Sequence, residues 1–409
     1  CLIDDARRYV LEHFNAPPGE YTVVFTPNAS GALKLVGEAY PFEPGGHYLL
    51  TFDNHNSVNG IREFARGKAC AFTYVPVVAP ELRLDMAALE QGLAQGEPGK
   101  PKLFAFPAQS NFSGAQHPLE LIGLAQSQGW DVLVDAAAFA PSNRLDLAQW
   151  RPDFVPLSFY KMFGYPTGIG ALLARRAALD KLRRPWYAGG TITISSVQGD
   201  GHYLVPGEAG FEDGTVNYLN IPAVEIGLRH LSSVGIDAIH DRVMALTGWL
   251  IDNLSALRHN SGQPLVRLHG PRDLTARGGT VTMTFCDCDG RAIDDRRIEE
   301  LANHRGISLR TGCFCNPGAG EVAHGLGPEI MRSFFASETA LSFQELRREM
   351  GARFGRDVSA VRVSVGMASN FADVDAFIRF AARLLNHTAA EIGEVEVTDP
   401  QCSTGRDSA

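Results

Sequence analysis

The chain has 409 residues, 45% of them hydrophobic and 20% charged, with 37 Lys and Arg against 46 Asp and Glu for a formal net charge of −9. That length exceeds what one core ordinarily serves, so two domains with ample buried apolar surface are expected. The negative balance, with only short basic tracts such as 181–187, excludes a general nucleic-acid binder, and no run of about 18 uncharged apolar residues offers a membrane span.

Elements follow in chain order. The opening "CLIDDARRYVLEHF" reads as a helix already under way without an initiator Met, so some native N-terminal sequence is expected to be missing. Short apolar strands are predicted at 21–26, 47–52, 102–107, 131–136, 154–159 and 169–174, separated by amphipathic segments such as 118–129. Near-continuous apolar strands alternating with helices indicate an α/β unit with a mostly parallel sheet covered on both faces, whose ligands bind beyond the carboxyl ends of the strands. A long helical stretch from about 222 leads into a smaller α+β region, with strands at 280–285, 307–312 and 360–365, a helix near 294–304 and another from Asp373. The expected division is a large domain over 1–235, a small domain over 236–390 and a disordered tail over 391–409.

The residues that carry chemistry sit at strand ends. "FTPNASGAL" runs from a strand through small polar residues into a helix, where backbone N–H groups and the Ser30 hydroxyl can face an anion; it also reads as an ordinary capped helix. His55, in "DNHNSVNG", follows the next strand and can stack on a flat ring or serve a structural role. Asp135 closes "DVLVDA", and Lys161 follows the next strand in "VPLSFYKMFGYPTG". A carboxylate able to receive a protonated ring nitrogen and a lysine able to bond an aldehyde are what a pyridoxal phosphate site requires. Either residue alone also reads as a cap or a surface lysine. The Gly-Tyr-Pro-Thr-Gly run after Lys161 lets the backbone bend away without crowding a cofactor.

Seven cysteines, at 1, 70, 286, 288, 313, 315 and 402, form an odd, scattered set, and no signal peptide is read in the given residues, so reduced thiols in the cytoplasm are expected. In "SLRTGCFCNPGAG", Cys313 and Cys315 lie in a loop just after a strand, beside Arg310, a setting that favours an accessible thiolate. Buried inert thiols remain open, and so does a zinc site shared with "CDC" at 286–288, although structural zinc pairs usually leave wider gaps. A C-x-C disulfide would be strained.

Taken together, these motifs resemble the class V, fold-type I pyridoxal-phosphate enzymes of the cysteine desulfurase group. "DNHNSVNGIREFA", "VPLSFYKMFGYPTGIGALLARR" and "LRTGCFCNPGAG" are most similar to the N-terminal domain of molybdenum cofactor sulfurases, over roughly residues 1–385. The resemblance implies a fold-type I architecture with a seven-stranded sheet. It implies that Lys161 holds pyridoxal phosphate covalently, Asp135 pairs with the ring nitrogen, His55 stacks on the ring and Asn111 lies near the phenolic oxygen. Ala29, Ser30 and Ser158 would contact the phosphate, and Gly214 and Thr215, in "FEDGTVN", would reach the phosphate of a neighbouring subunit in a homodimer. Arg362 and Arg310 would hold the substrate carboxylate, and Cys315 would carry a persulfide. The implied reaction converts L-cysteine to alanine and passes sulfur to the molybdenum cofactor or another biosynthetic acceptor.

Departures from the pattern are also present. Gly320 stands where that family often has a cysteine, and Ala138 where many desulfurases place a glutamine. The further C-terminal domain of the full-length eukaryotic sulfurases is not expected within these 409 residues. Two other readings stay open: a C–S lyase, epimerase or aminotransferase on the same scaffold, and a non-catalytic partner or sulfur carrier.

Overall fold

The structure is a computed structural model describing residues 1–164, 167–335, 343–354 and 358–395. The chain forms two compact units. The first comprises Cys1–Pro76, Leu84–Gln109 and Gln116–His240; the second comprises Val77–Arg83, Ser110–Ala115 and the chain from Asp241 onward.

The first unit is built on seven strands: β1 (Tyr21–Thr26), β2 (His47–Thr51), β3 (Ala71–Val75), β4 (Lys102–Pro107), β5 (Asp131–Asp135), β6 (Phe154–Ser158) and β7 (Gly170–Arg175). They lie in the order β1-β7-β6-β5-β4-β2-β3. Pairing is parallel from β3 through β2, β4 and β5 to β6, whereas β7 runs antiparallel to both β1 and β6. β2 and β6 are buried along their whole length, which explains why they read as continuous apolar runs. Tyr48 and Leu50 pack in one cluster with Leu33 and Val36 of helix Ala29–Ala39. Leu49 points the other way, so close to Gly92 of helix Met86–Leu93 that a Cβ there would lie 2.7 Å from its Cδ1. Both faces of the sheet are therefore covered.

Strand β3 was not anticipated from the sequence. It is an edge strand with alternating rather than continuous burial, so its short "AFTYV" signal is of period two. A hairpin of β8 (Ile192–Ser196) and β9 (Gly201–Leu204) also escaped sequence reading, because it is almost wholly exposed. The long helical stretch breaks at Gly235 (φ 91°) into helices Pro222–Val234 and Ile236–Ala256.

The second unit contains an antiparallel sheet of β10 (Val266–His269), β11 (Thr280–Phe285), β12 (Arg310–Gly312) and β13 (Ala360–Ser364), in the order β10-β11-β13-β12. β12 is shorter than the strand expected over 307–312. Gly306 (φ 70°) ends helix Asp295–Asn303, and the Ile307 amide turns back to the Ala302 carbonyl at 3.0 Å, so it is spent on the helix terminus. The segment Ser110–Ala115 is laced onto this unit: the Thr282 hydroxyl donates to the Phe112 carbonyl and the Gly278 amide to the Gly114 carbonyl at 2.9 Å. Gly114 (φ 75°) is required there, since a Cβ would meet the Thr280 carbonyl oxygen at 2.4 Å. Of the tail expected over 391–409, Glu391 and Ile392 close a short helix, Ala389–Ile392, capped by Thr388, and residues 396–409 lie outside the described residues.

Candidate active site

In the first unit, six of the sequence-predicted residues come to the carboxyl ends of β1, β2, β5 and β6, the edge at which open α/β sheets bind ligands. β1 leads to Asn28, whose side-chain oxygen caps helix Ala29–Ala39 by accepting from the Gly31 amide at 2.9 Å. Ala29 gives its amide to the Ser158 hydroxyl at 2.9 Å, and the Ser30 and Ser57 hydroxyls lie 2.6 Å apart. The Ser30, Ser57 and Ser158 hydroxyls clustered at a helix N-terminus suit a phosphate. The turn can approach this closely because β7 begins with glycine: a Cβ on Gly170 would fall 2.5 Å from the Asn28 Cα.

His55 follows β2 and caps helix Asn56–Asn59, its Nδ1 accepting from the Ser57 amide at 3.1 Å, which requires that nitrogen to be unprotonated. A buried pair just behind it, unforeseen from sequence, holds the turn: His117 Nε2 lies 2.9 Å from Asp53, which also accepts from the Thr51 hydroxyl. The signal was present in "DNHNS", where an acid sits two positions before His55, but its partner lies 64 residues away.

Asp135 ends β5 and is buried, with one oxygen accepting from the Ala137 amide at 3.0 Å. Its other oxygen has no protein partner among the described residues, as an acceptor for a ring N–H should. On the neighbouring strand, β6 ends at Ser158, and Lys161 follows on the single-turn helix Tyr160–Phe163. Lys161 is exposed, and its amine has no partner among the described residues. Gly164 (φ 78°) closes the turn and Gly168 (φ 79°) follows; Tyr165 and Pro166 of the expected bend lie outside the described residues. An unengaged amine, a buried carboxylate with an open oxygen and a donor-lined turn match the aldehyde, ring nitrogen and phosphate of pyridoxal phosphate.

Gly214 and Thr215 belong to a pinned turn. Arg184, its side chain fully buried, grips both Asp213 oxygens at 2.6 and 3.1 Å and lies 3.5 Å from Glu38, while Arg7 pairs with Glu212 at 2.9 Å. Thr215 lines a cleft of about 370 Å³ that also includes Thr26, Gly31, Lys34 and Trp186; Lys161, Asp135 and His55 do not line it.

The other four residues, Asn111, Arg310, Cys315 and Arg362, are in the second unit. Arg310 and Arg362 are directly paired across β12 and β13, so their side chains leave the same face of the sheet. Burial, with the Arg310 charge adding to it, pulls Arg362 down to about 10. Its Nε is buried without a hydrogen-bond partner among the described residues. Two crowded guanidiniums, one with an unused donor, suit a substrate carboxylate. β12 then runs into the cysteine loop, where Phe314 (φ 57°) and Cys315 (φ 55°) are both left-handed. Burial pushes the Cys313 thiol up, keeping it protonated. Asn111 spends its amide here: its Nδ2 donates to the Phe314 carbonyl at 2.7 Å and its Oδ1 accepts from Asn316 Nδ2 at 2.8 Å.

An aminotransferase class-V family model matches residues 2–377. The molybdenum cofactor sulfurase of Arabidopsis thaliana is 36% identical over 429 residues, covering 93% of this chain and 50% of that protein. The one of Bos taurus is 34% identical over 414 residues, covering 95% and 46%. The chain thus spans about half the length of these curated relatives. In structure it is similar to a cysteine desulfurase from Thermococcus onnurineus NA1, with TM-score 0.75, 23% identity and coverage of 94% of this chain and 84% of that one. The cysteine desulfurase CsdA from Escherichia coli gives TM-score 0.74 and 20% identity, with coverage of 94% and 83%. The fold is the fold-type I α/β architecture, and the chain belongs to the class-V aminotransferase family.

Proposed function

We propose that this chain is a pyridoxal-phosphate-dependent sulfurtransferase that converts L-cysteine to L-alanine and carries the sulfur on Cys315. The observation that carries the reading is the second unit's arrangement of Cys315 on a left-handed turn following the strand whose Arg310 is paired with Arg362. Arginine pairs recognise carboxylates, and a thiol in an electropositive turn is suited to nucleophilic attack.

Bound pyridoxal phosphate would supply an electron sink for the substrate Cα. Lys161 would anchor it and, once displaced, move the Cα proton; Asp135 would hold the ring-nitrogen proton, His55 would cover the ring, and Ala29, Ser30 and Ser158 would hold the phosphate. Arg362 and Arg310 would bind the cysteine carboxylate. The Cys315 thiolate would attack the substrate sulfur; the C–S bond breaks with its electron pair staying on carbon, which takes a proton to give alanine, and Cys315 is left as the persulfide. A sulfur acceptor then restores the thiol. The similarity to molybdenum cofactor sulfurases supports the molybdenum cofactor as that acceptor.

A homodimer is part of this reading. It is supported by exposed apolar side chains in the first unit, with Val197 fully exposed, Tyr203 74% and Leu219 78% exposed. Gly214 and Thr215 would serve the partner's phosphate. A cytoplasmic setting is supported by six cysteines outside any disulfide among the described residues. No helix of the described residues is long and apolar enough to cross a membrane. The test is incubation of the cofactor-loaded protein with L-cysteine: alanine and protein-bound sulfur in equal amounts support the proposal, whereas pyruvate and ammonia would assign a C–S lyase.

A further inference from the structure

We infer that Asn316 and Asn111 are positioning residues that lock the Cys315 turn in the conformation that presents its sulfur. The inference deepens the sulfurtransferase reading and rests on it only for the role of Cys315.

Two consecutive non-glycine residues, Phe314 and Cys315, adopt left-handed backbone angles, which L side chains resist unless their surroundings enforce them. The enforcement is visible atom by atom. The Asn316 amide donates to the Cys313 carbonyl at 3.0 Å, closing the turn from behind. Asn111 Nδ2 donates to the Phe314 carbonyl at 2.7 Å, and Asn316 Nδ2 donates to Asn111 Oδ1 at 2.8 Å. Arg362 completes the clamp: its Nη1 donates to the Asn111 carbonyl at 2.8 Å, and its guanidinium lies over the Phe314 ring at 4.6 Å. Asn316 is fully buried, and its side-chain oxygen caps helix Pro317–His324 by accepting from the Ala319 amide at 3.2 Å.

The Asn316 side chain thus does two things at once, its oxygen capping the helix and its nitrogen holding Asn111. Both amides are fixed in orientation, since flipping either would oppose like groups. This division separates a clamp from a mere helix cap. Asn316→Asp retains the capping oxygen, because aspartate caps as well as asparagine, yet it removes the donor and sets a carboxylate against Asn111 Oδ1.

The test uses the cofactor-loaded Asn316→Asp protein. Hydrogen exchange of the backbone amides at 313–316 should quicken about tenfold or more while those at 319–324 stay within about twofold. In single turnovers with L-cysteine, sulfur loading on Cys315 should slow about tenfold or more with KM held within about twofold, as expected when a nucleophile is misplaced but the substrate is still bound. Alkylation of Cys315 by iodoacetamide in the cofactor-free protein should change rate in the same variant, and the Cys313 rate should not. Unchanged exchange at 313–316 together with unchanged loading would overturn the inference, as would faster exchange confined to 319–324, which would mark Asn316 as a cap alone. If the wild-type protein loads no sulfur, the sulfurtransferase reading fails, and the exchange and alkylation results still decide the clamp.

Discussion

The Ala29 amide donates to the Ser158 hydroxyl at 2.9 Å, tying the turn after the first strand of the large sheet to the strand end that precedes Lys161. Both residues are buried. The same hydroxyl that fixes this turn, the proposed phosphate site, therefore fixes its distance from the strand end that leads to the lysine. Ser158→Ala strips the acceptor from a buried N–H, which costs about 1–3 kcal/mol. A fall in Tm and a weaker affinity for pyridoxal phosphate, read by spectrophotometric titration, should appear together; a change in Tm alone would separate the turn from the cofactor.

Lys161→Ala should abolish covalent retention of the cofactor and lower turnover by about 10²–10⁴-fold or more, the range for removing a positioned proton carrier. Because the lysine is exposed and its amine has no partner among the described residues, the Tm of the cofactor-free protein should barely move. Loss of the visible absorption band after gel filtration is the check.

Cys315→Ser should end sulfur loading while leaving cofactor binding intact, whereas Cys313→Ser should keep loading within about twofold, because a thiol held protonated by its surroundings is a poor nucleophile. Mass spectrometry of the cysteine loop after exposure to L-cysteine distinguishes the two.

Arg184→Leu should cost about 3–5 kcal/mol, since removing one partner of a buried ion pair leaves the others uncompensated. Here Glu38 and Asp213 would lose their cation, and the turn that carries Gly214 and Thr215 would lose its anchor. Denaturant unfolding gives the stability, and sedimentation tests whether the loosened turn also weakens self-association.

Acid should destabilise the second unit through His269. Burial, with the neighbouring His324 adding to it, pulls this imidazole from 6.5 down to about 3. Between those values the unfolded chain binds a proton that the folded one refuses, so stability is present above pH 6.5 and falls as pH drops toward 3, by about 1.4 kcal/mol per pH unit. His269→Gln should flatten that slope by one proton in unfolding curves recorded from pH 6.5 to 4.

The alternation of mostly apolar strands with helices was legible from composition along the chain, because strands buried on both faces carry few polar residues in their interiors to obscure them. The same holds for the placement of the residues at their ends: Ala29, Ser30, His55, Asp135 and Lys161 each follow or close such a strand, which puts them on one edge of the sheet. Edge strand Ala71–Val75 and the exposed hairpin at 192–204 gave weaker signals, since half-exposed or solvated strands lack that continuous run. What local sequence could not reach were the partners brought from afar. His117 behind Asp53, Arg184 beneath the 211–217 turn, and Asn111 locked to Asn316 across 205 positions arise from pairings of distant segments. Buried polar groups must find hydrogen-bond partners wherever folding puts them, and that accounting is settled in space rather than along the chain.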